Sequence, residues 1–478
     1  MKGRIAAFVI AVLAAGGVVL VASSAGTDEA AGPAVKQHSG TLQRPGPEER
    51  GARGRQRVTV AGMFAHLRAL QQIADRHGGN RAAGTAGDRA SVDYVAGRLR
   101  DAGYRVRAQP VSFPYFDERG DPRVRLDGED LNGVRTLVYS GGGAATGAVR
   151  EVDPRTSETG ERDAGCRASD FAGLPAGAVA LIERGTCRLR RKVDNAARAG
   201  ASAAVIFNDG RVGREGTITG TLASPGAEIP AVFASFDAGR RLAAAEGRRV
   251  RVTVRAISER RTTANVVAEL PGRGRAGVVM GGAHLDSVAD GPGINDNGSG
   301  VAALLESAEA LASAPAERRR ALRFGFWGAE ELGLIGSRRY IRGLDPAERE
   351  RIAAYVNLDM IGSRNAGRFL YAGDDAQPAA ATARRVLGRA GVALEETDLS
   401  GGSDHASFDR AGIPVAGLFS GASGIKSGEQ RGRWGGRSGA PFDRCYHREC
   451  DRLGGIDRAS LGQLGRGAAG LLRALARR

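Results

Sequence analysis

Five side chains that can bind a metal ion lie in the C-terminal half of the chain, and most of them follow short apolar segments. They are two histidines and three carboxylates: His284, Asp296, Glu331, Asp359 and His447. Imidazole nitrogens and carboxylate oxygens in this proportion suit a pair of Zn²⁺ ions. Three carboxylates and one hydroxide would balance the four positive charges of two such ions. The pattern therefore predicts two Zn²⁺ per chain, which would lower the pKa of a bound water and create a nucleophile.

Glu330 directly precedes one of these carboxylates and is not needed as a ligand. We therefore predict that Glu330 is the general base that takes a proton from the water. Each of these side chains alone would be read as an ordinary surface carboxylate or histidine, but their repeated placement after predicted strands argues against that. The chain has no HExxH or GxSxG string, so thermolysin-like and α/β-hydrolase mechanisms find no motif.

The elements that must position these residues are four predicted strands with helices between them. The apolar runs that predict these strands are residues 278–283, 322–327, 355–360 and 415–419. Strands that alternate with helices are typical of a mostly parallel sheet that is covered on both faces. In such sheets ligands bind beyond the carboxyl ends of the strands, which is where these polar residues follow.

The preceding part of the chain divides into further units. Residues 60–73 and 90–102 predict two helices, and residues 104–113 predict a strand. Residues 134–255 alternate short strands with helices, which predicts a small independent α/β module. The basic amphipathic tail of residues 461–478 predicts a surface helix. The predicted domain limits are 1–25, 26–55, 56–133, 134–258 and 259–478, where the third and fifth segments form one domain interrupted by the fourth.

The N-terminus has the pattern of a secretory signal. Lys2 and Arg4 precede an apolar run over residues 5–22, and small residues follow up to Ala25. This predicts a cleaved signal peptide and a secreted protein with no stable membrane anchor. The alternative is an uncleaved anchor, because 18 apolar residues can span a bilayer. Residues 26–55 are rich in Gly, Pro, Arg and Glu and predict a propeptide or linker.

Composition excludes several classes of protein. The chain has 478 residues, of which 42% are hydrophobic and 26% charged, so it is not mainly disordered, fibrous or a polytopic membrane protein. The net charge of +16 comes mostly from arginines that are spread along the whole chain. No nucleic-acid-binding motif accompanies them, and we predict no nucleic-acid partner.

The four cysteines predict two disulfides, as is usual for an exported protein with a small, even number of cysteines. Three pairings are possible. We favour the pairs that are neighbours in sequence, Cys166 with Cys187 and Cys445 with Cys450.

Six strings in the C-terminal region resemble those of secreted di-zinc aminopeptidases of the leucine-aminopeptidase type. The strings are GAHLDSV, GPGINDNGSG, FWGAEELGLIGS, VNLDMIG, SDHASF and DRCYHRECD. The resemblance covers most of residues 264–458 and implies a three-layer α/β/α zinc-peptidase domain with an eight-stranded, mostly parallel mixed sheet. It also implies that peptide or protein N-termini are the substrate, and we expect a monomer.

The resemblance assigns a role to each residue of the predicted site. It implies that His284 and Asp359 hold one zinc, that Glu331 and His447 hold the other, and that Asp296 bridges them. It also implies that Glu330 is the general base, that Tyr446 stabilises the oxyanion and that Asp286 orients a ligand. One position departs from the family pattern, because Gly402 stands where close relatives often have an arginine that contacts the substrate. His405 is either a pocket residue or a structural one.

The middle block resembles a protease-associated domain in the stretch LPAGAVALIERGTCRLRRKVDNAARAGASAAVIFND. This module is inserted in many exported peptidases of this type and carries no catalytic group of its own. Cys166 and Cys187 match the position of a disulfide that is often found there.

These observations predict an exported di-zinc aminopeptidase. The alternatives are a carboxypeptidase on the same scaffold, a glutaminyl cyclase that uses one zinc, and a non-catalytic receptor-like binding module. Glu330 and Tyr446 argue against the last, because a protein without activity has no need of a base.

Overall fold

Two eight-stranded mixed sheets form the framework of the chain. The computed structural model describes residues 57–154, 163–273, 276–313, 318–372, 378–398 and 401–478. The predicted signal peptide and the predicted propeptide or linker lie outside the described residues. No described helix is long and apolar enough to cross a bilayer.

The elements follow one another in this order along the chain. The strands are β1 (Arg105–Glu118), β2 (Arg123–Leu126), β3 (Glu129–Asp130), β4 (Val134–Thr136), β5 (Gly143–Glu151), β6 (Val179–Glu183), β7 (Ala203–Phe207), β8 (Ala231–Ala234), β9 (Arg249–Val254), β10 (Ala256–Leu270), β11 (Val278–His284), β12 (Ala321–Trp327), β13 (Ile352–Leu358), β14 (Phe369–Ala372), β15 (Glu395–Glu396) and β16 (Val415–Phe419). The helices are α1 (Val60–Arg76), α2 (Ala86–Asp101), α3 (Leu189–Arg198), α4 (Phe236–Ala243), α5 (Gly298–Ala312), α6 (Ile335–Arg342), α7 (Pro346–Glu350), α8 (Pro378–Arg389), α9 (His405–Asp409), α10 (Gly428–Trp434) and α11 (Arg458–Ala476).

The first sheet has the order β1-β10-β12-β11-β13-β16-β14-β15. Its four central strands, β12, β11, β13 and β16, are parallel, whereas β10 and β14 run antiparallel to the central strand beside them. Every residue of β11 is buried, as expected for a central strand covered on both faces. The predicted α/β fold with a mostly parallel mixed sheet is confirmed.

Helices cover both faces of this sheet and bury a separate core on each. Helices α1, α2, α5, α8 and α11 pack together on one face, and α6 and α9 lie on the other. Leu304 of α5 and Leu472 of α11 meet over Gly281, where a Cβ atom would lie 2.8 Å from Leu304. Burying each leucine contributes roughly 1.5–3 kcal/mol. The tail predicted to be a surface helix is therefore part of the core on one side.

The second sheet belongs to the module that interrupts the first. Its order is β3-β2-β9-β5-β6-β7-β8-β4, and β5 to β8 are parallel neighbours. In sequence, α3 lies between β6 and β7, and α4 lies between β8 and β9. The insertion lies between β1 and β10, which pair antiparallel from Arg105 with Glu269 to Glu118 with Ala256. The whole module thus emerges from the tip of a long two-stranded hairpin.

Both predicted disulfides are confirmed. Cys166 pairs with Cys187 in the inserted module, and Cys445 pairs with Cys450 in the loop before α11.

Candidate metal centre

The carboxyl ends of three neighbouring parallel strands carry most of the predicted ligands. His284 ends β11, Glu330 and Glu331 follow the end of β12, and Asp359 directly follows β13. Because β11 lies between β12 and β13, these ends meet at one edge of the sheet. The turn that leads into α5 brings Asp296 to the same edge.

The structure brings all five predicted ligands together. His284 Nε2 lies 3.1 Å from Asp296 Oδ1 and 3.4 Å from Asp359 Oδ1. His447 Nε2 lies 3.2 Å from Asp296 Oδ2 and 3.1 Å from Glu331 Oε2. The two oxygens of Asp296 therefore face two different histidines, and each histidine faces one further carboxylate. This divides the cluster into two adjacent groups of ligand atoms that share one carboxylate.

The donor atoms fit zinc. Glu331 Oε1 and Asp359 Oδ1 are buried and have no hydrogen-bond partner among the described residues. A buried carboxylate oxygen without a donor is costly unless a cation compensates it. Two imidazoles with three carboxylates are also a typical ligand chemistry for zinc.

Asp286 supports the ligand set through hydrogen bonds with His284 and with the turn that carries Glu330 and Glu331. Its backbone carbonyl lies 3.1 Å from His284 Nδ1 and can only accept, so Nδ1 donates to it, and Nε2 is the nitrogen that faces the carboxylates and whose lone pair would bind a metal ion. Its side chain accepts hydrogen bonds from the backbone amides of Glu330 at 3.0 Å and Glu331 at 3.4 Å. One residue thus fixes a histidine tautomer and the turn that carries the two glutamates.

The ionisable groups of the site shift one another strongly. Burial raises the pKa of Glu330 well above its usual value and raises that of Glu331 to about 7. Burial alone would lower the pKa of both histidines, but the surrounding carboxylates outweigh it. The pKa of His284 is raised well above its usual value, and that of His447 is raised to about 10. Without a cation these groups hold shared protons, which metal binding displaces.

Comparison with known proteins identifies the family. The model of peptidase family M28 matches residues 265–472, and the PA domain model matches residues 148–242. An aminopeptidase of Pseudomonas aeruginosa (strain UCBPP-PA14) is 40% identical over 424 residues, in a match that covers 84% of this chain and 78% of that protein. The chain belongs to peptidase family M28.

Two further comparisons bear on the activity of this M28 peptidase. The probable lipoprotein aminopeptidase LpqL of Mycobacterium tuberculosis (strain ATCC 25618 / H37Rv) is 42% identical over 433 residues, covering 87% of this chain and 84% of that protein. The structure of BSAP, a zinc aminopeptidase from Bacillus subtilis, matches with a TM-score of 0.56 and 25% identity, covering 88% of this chain and 96% of that chain. The predicted zinc-dependent aminopeptidase with an inserted PA domain is confirmed. The carboxypeptidase, cyclase and receptor alternatives are not supported.

Asp451 supports the M28 site in a way that the sequence did not predict. Its carboxylate accepts hydrogen bonds from the backbone amides of Asn295 at 2.7 Å and Asp296 at 3.0 Å. The residue directly after the Cys445–Cys450 disulfide therefore holds the backbone of Asp296. The acidic residue that follows the second cysteine in DRCYHRECD was the only signal for this contact.

A second unpredicted support reaches Asp359 from the SDHASF string. Ser403 donates to Asp359 Oδ2 at 2.7 Å, which leaves Oδ1 directed at His284. Ser403 in turn accepts from Asn357 Nδ2 at 2.8 Å, and Asn357 Oδ1 accepts from the hydroxyl of Tyr355 at 2.8 Å. This buried chain of hydrogen bonds orients the carboxylate from the core of the sheet.

Three non-glycine residues beside the ligands have left-handed backbone. They are Ala329 with φ of 56°, Met360 with φ of 49° and His447 with φ of 58°. Such a conformation costs of order 1–3 kcal/mol per residue and persists only where the surroundings impose it. The three turns direct Glu330, Asp359 and His447 itself to the metal centre.

The other residues singled out from the sequence lie in different settings. The ring of Tyr446 stacks on that of His447 with centroids 3.8 Å apart, so it borders the ligand set. His405 is buried and packs against Tyr371 with ring centroids 4.5 Å apart, which supports a structural role. Gly402 lies in an exposed turn.

A separate group of metal-competent side chains lies between α1 and α5. His66 Nε2 is 3.8 Å from both Glu306 Oε2 and Glu309 Oε1. These distances exceed the 3.1–3.4 Å spacings at the M28 site. Arg98 already binds both oxygens of Glu309, and Thr59 donates twice to Glu306. Glu306 and Glu309 therefore accept hydrogen bonds from protein groups and do not need a metal ion to compensate their charge.

Proposed function

We propose that this M28 aminopeptidase is a di-zinc enzyme whose ligands divide around Asp296. His284 and Asp359 would hold one zinc, Glu331 and His447 would hold the other, and Asp296 would bind both. The observation that supports this division is the placement of Asp296 Oδ1 and Oδ2 at 3.1 and 3.2 Å from two different histidines. Zinc bound there would act as a Lewis acid and lower the pKa of a coordinated water.

Glu330 is the general base in this proposal. Its Oε2 lies 3.9 Å from His284 Nε2, so the carboxylate borders the ligand set without being needed to complete it. It takes a proton from the attacking water and then gives that proton to the leaving amine, so its charge is restored at the end of the cycle.

Tyr446 stabilises the oxyanion of the tetrahedral intermediate by donating a hydrogen bond from its hydroxyl. Its stacking on His447 and the disulfide that closes the same loop support a fixed position beside the ligands. Burial raises the pKa of the phenol, so it remains a donor at neutral pH.

The preference for a free N-terminus follows from charge. Two zincs, three carboxylate ligands and one hydroxide would sum to zero, so the carboxylate of Glu330 would be uncompensated once it had released the water's proton to solvent. A protonated α-amine of the substrate would balance it and place the first peptide bond beside the water, and such orientation contributes up to about 7–11 kcal/mol to catalysis. A carboxypeptidase would need a cation to bind the substrate carboxylate, and Gly402 offers none.

The protein acts outside the cell as a monomer in this proposal. The signal-like sequence over residues 1–25 and the two disulfides support export, because disulfides persist in oxidising compartments.

Metal analysis combined with two matched variants tests the site. The active protein should contain two zincs per chain. Glu330→Gln should keep both zincs and lose about 10²–10⁴-fold in kcat, since only proton transfer is removed. Glu331→Gln, one residue away and equal in size, should instead weaken zinc binding. A single zinc in fully active protein, or near-normal turnover of Glu330→Gln, would contradict the assignment.

Blocked substrates test which end of the peptide is bound. Acetylating the N-terminus of a good substrate should abolish cleavage, whereas amidating its C-terminus should leave the rate nearly unchanged. The opposite result would show that the enzyme binds the substrate carboxylate.

A further inference from the structure

Arg81 is a fully buried cation behind the loop that joins two of the proposed zinc ligands. It lies between α1 and α2 and is 0% exposed. Its Nε donates to the carbonyl of Pro292 at 3.0 Å, its Nη2 donates to that of Gly293 at 2.6 Å, and its Nη1 donates to that of Leu285. One side chain therefore ties the first residue of this loop to its last turn.

The backbone of Arg81 holds the same loop. Its amide donates to Ser287 Oγ at 2.9 Å, and its carbonyl accepts from the amide of Ser287 at 3.4 Å. Ser287 Oγ also lies 3.0 Å from the carbonyl of Gly291. Residues 285–293 start directly after His284 and end just before the turn of Asp296, so these contacts lie on the segment that joins the two ligands.

Gly293 shows how closely the loop packs on Arg81. Its φ is +61°, and a Cβ atom there would lie 2.3 Å from the carbonyl oxygen of Asp296 and 3.2 Å from Arg81 Nη2. Only glycine fits this space. The guanidinium group and the Asp296 turn are thus separated by the backbone of a single residue.

The positive charge of Arg81 also interacts with carboxylates at the site. Its three side-chain acceptors are neutral carbonyls, yet the carboxylates of Asp286, Asp451, Asp88 and Asp296 lie near enough to stabilise the cation. Burying a charge is costly, and a neutral side chain could fill the same volume more cheaply. The cation offsets part of the negative charge that the carboxylates concentrate at this edge of the sheet.

We propose that Arg81 is a positioning residue of the zinc centre, which fixes residues 285–293 so that His284 and Asp296 keep the separation that zinc binding needs. The inference rests on the ligand roles proposed for these two residues. Arg81 touches no ligand side chain, so it acts through the loop backbone and through its charge.

The planar guanidinium group matters because it donates in three directions from one rigid head. Arg81→Lys keeps the charge but places a single compact ammonium where three separated carbonyls need donors. Arg81→Gln removes the charge and keeps a polar head. The pair separates the contribution of the hydrogen-bond geometry from that of the charge.

The test measures zinc affinity by competition with a chelator, and amide hydrogen exchange of residues 285–294 in the metal-free protein. In Arg81→Lys the loop amides should exchange faster, and the affinity for the more weakly held zinc should fall about 10–100-fold. With zinc saturating, kcat should fall at least tenfold while KM changes less than threefold. Arg81→Gln should show larger losses in each measurement.

Val95→Ala is the matched control, since Val95 is fully buried on α2 and belongs to the same apolar core as Leu285 but has an aliphatic side chain that forms no hydrogen bond with the loop. It should lower the stability of the metal-free protein but leave zinc affinity unchanged. Wild-type zinc affinity and loop exchange in Arg81→Lys would overturn the inference, as would an equal loss of zinc affinity in Val95→Ala. A wild-type protein that bound no zinc would overturn the proposed function as well.

Discussion

His66 makes a quantitative prediction about acid stability. It is 3% exposed on α1, its Nδ1 lies 2.7 Å from the hydroxyl of Tyr94, and its Nε2 faces Glu306 and Glu309. Burial and the charge of Arg98 lower the pKa of His66 to about 4, despite the two carboxylates at 3.8 Å. The imidazole is therefore neutral in the folded protein at pH 5 but protonated in the unfolded chain.

The sign and size of the effect follow from this difference. Because the folded pKa lies below the unfolded value of about 6.5, the stabilisation is present above pH 6.5 and is lost as the pH falls towards 4. Proton linkage with these two values gives a loss of about 2 kcal/mol at pH 5 and only about 0.2 kcal/mol at pH 7. His66→Gln removes the titrating group and with it this loss.

Denaturant unfolding of the zinc-free protein measures the difference. Trp327 and Trp434 both belong to the peptidase domain, so tryptophan fluorescence follows the domain that contains His66. From pH 7 to pH 5 the wild-type protein should lose about 2 kcal/mol more free energy of unfolding than His66→Gln. His77→Gln, just beyond the end of the same helix, is the control and should behave like the wild type.

The opposite result would follow if Glu306 and Glu309 stabilised the protonated form of His66. If wild type and His66→Gln lost stability in parallel, protonated His66 would be accommodated by Glu306 and Glu309, and the reasoning from burial would be refuted. Asp88 titrates in the same range, because burial raises its pKa to about 6. Its contribution is common to both proteins and cancels in the comparison.

Three further variants test the site. Tyr446→Phe should lower kcat about 10²–10³-fold at unchanged zinc content, and a decrease below threefold in steady-state assays would exclude the oxyanion role. The double variant Cys445→Ser, Cys450→Ser should lose at least tenfold in kcat/KM while its denaturation midpoint changes little, because so short a loop contributes little chain entropy; a large loss of stability at full activity would contradict this. Ser403→Ala should weaken zinc binding about tenfold in chelator competition, through the freed carboxylate of Asp359, and unchanged affinity would show that Ser403 does not orient it.

The elements that could be predicted are those with strong local patterns. The limits of β16 match the apolar run of residues 415–419 from which it was predicted, and β11 extends one residue beyond its predicted run, because strands buried on both faces are continuous hydrophobic segments. The predicted strand over residues 355–360 lies instead at Ile352–Leu358. It ends earlier because Met360 has left-handed backbone, which nothing about a methionine indicates.

The ligand residues could be predicted because histidine and carboxylate side chains are able to bind a metal ion wherever they occur in the sequence. Their supports could not, since each depends on a contact between distant parts of the chain. Arg81 lies 204 residues before Leu285, and Asp451 lies 155 residues after Asp296. An arginine before a helix has no local feature that separates it from the many other arginines of this chain, and the position of Asp451 after a cysteine does not indicate which distant amides it binds.

The insertion at the tip of the β1–β10 hairpin has a consequence for how the chain folds. β1 has no partner on that side until β10 is synthesised, after the whole PA module. The module's own ladder pairs Arg123 with Thr253, so its folding brings the ends of β1 and β10 together. Closing a long loop costs about 0.6 kcal/mol more for each doubling of its length, and an insert that has already folded removes this cost from the pairing of β1 with β10. A PA module that folded before β1 and β10 paired would therefore hold the two ends of the hairpin together and favour formation of this edge of the peptidase sheet, whereas a two-residue turn that joined Glu118 to Ala256 would give the same topology without the module.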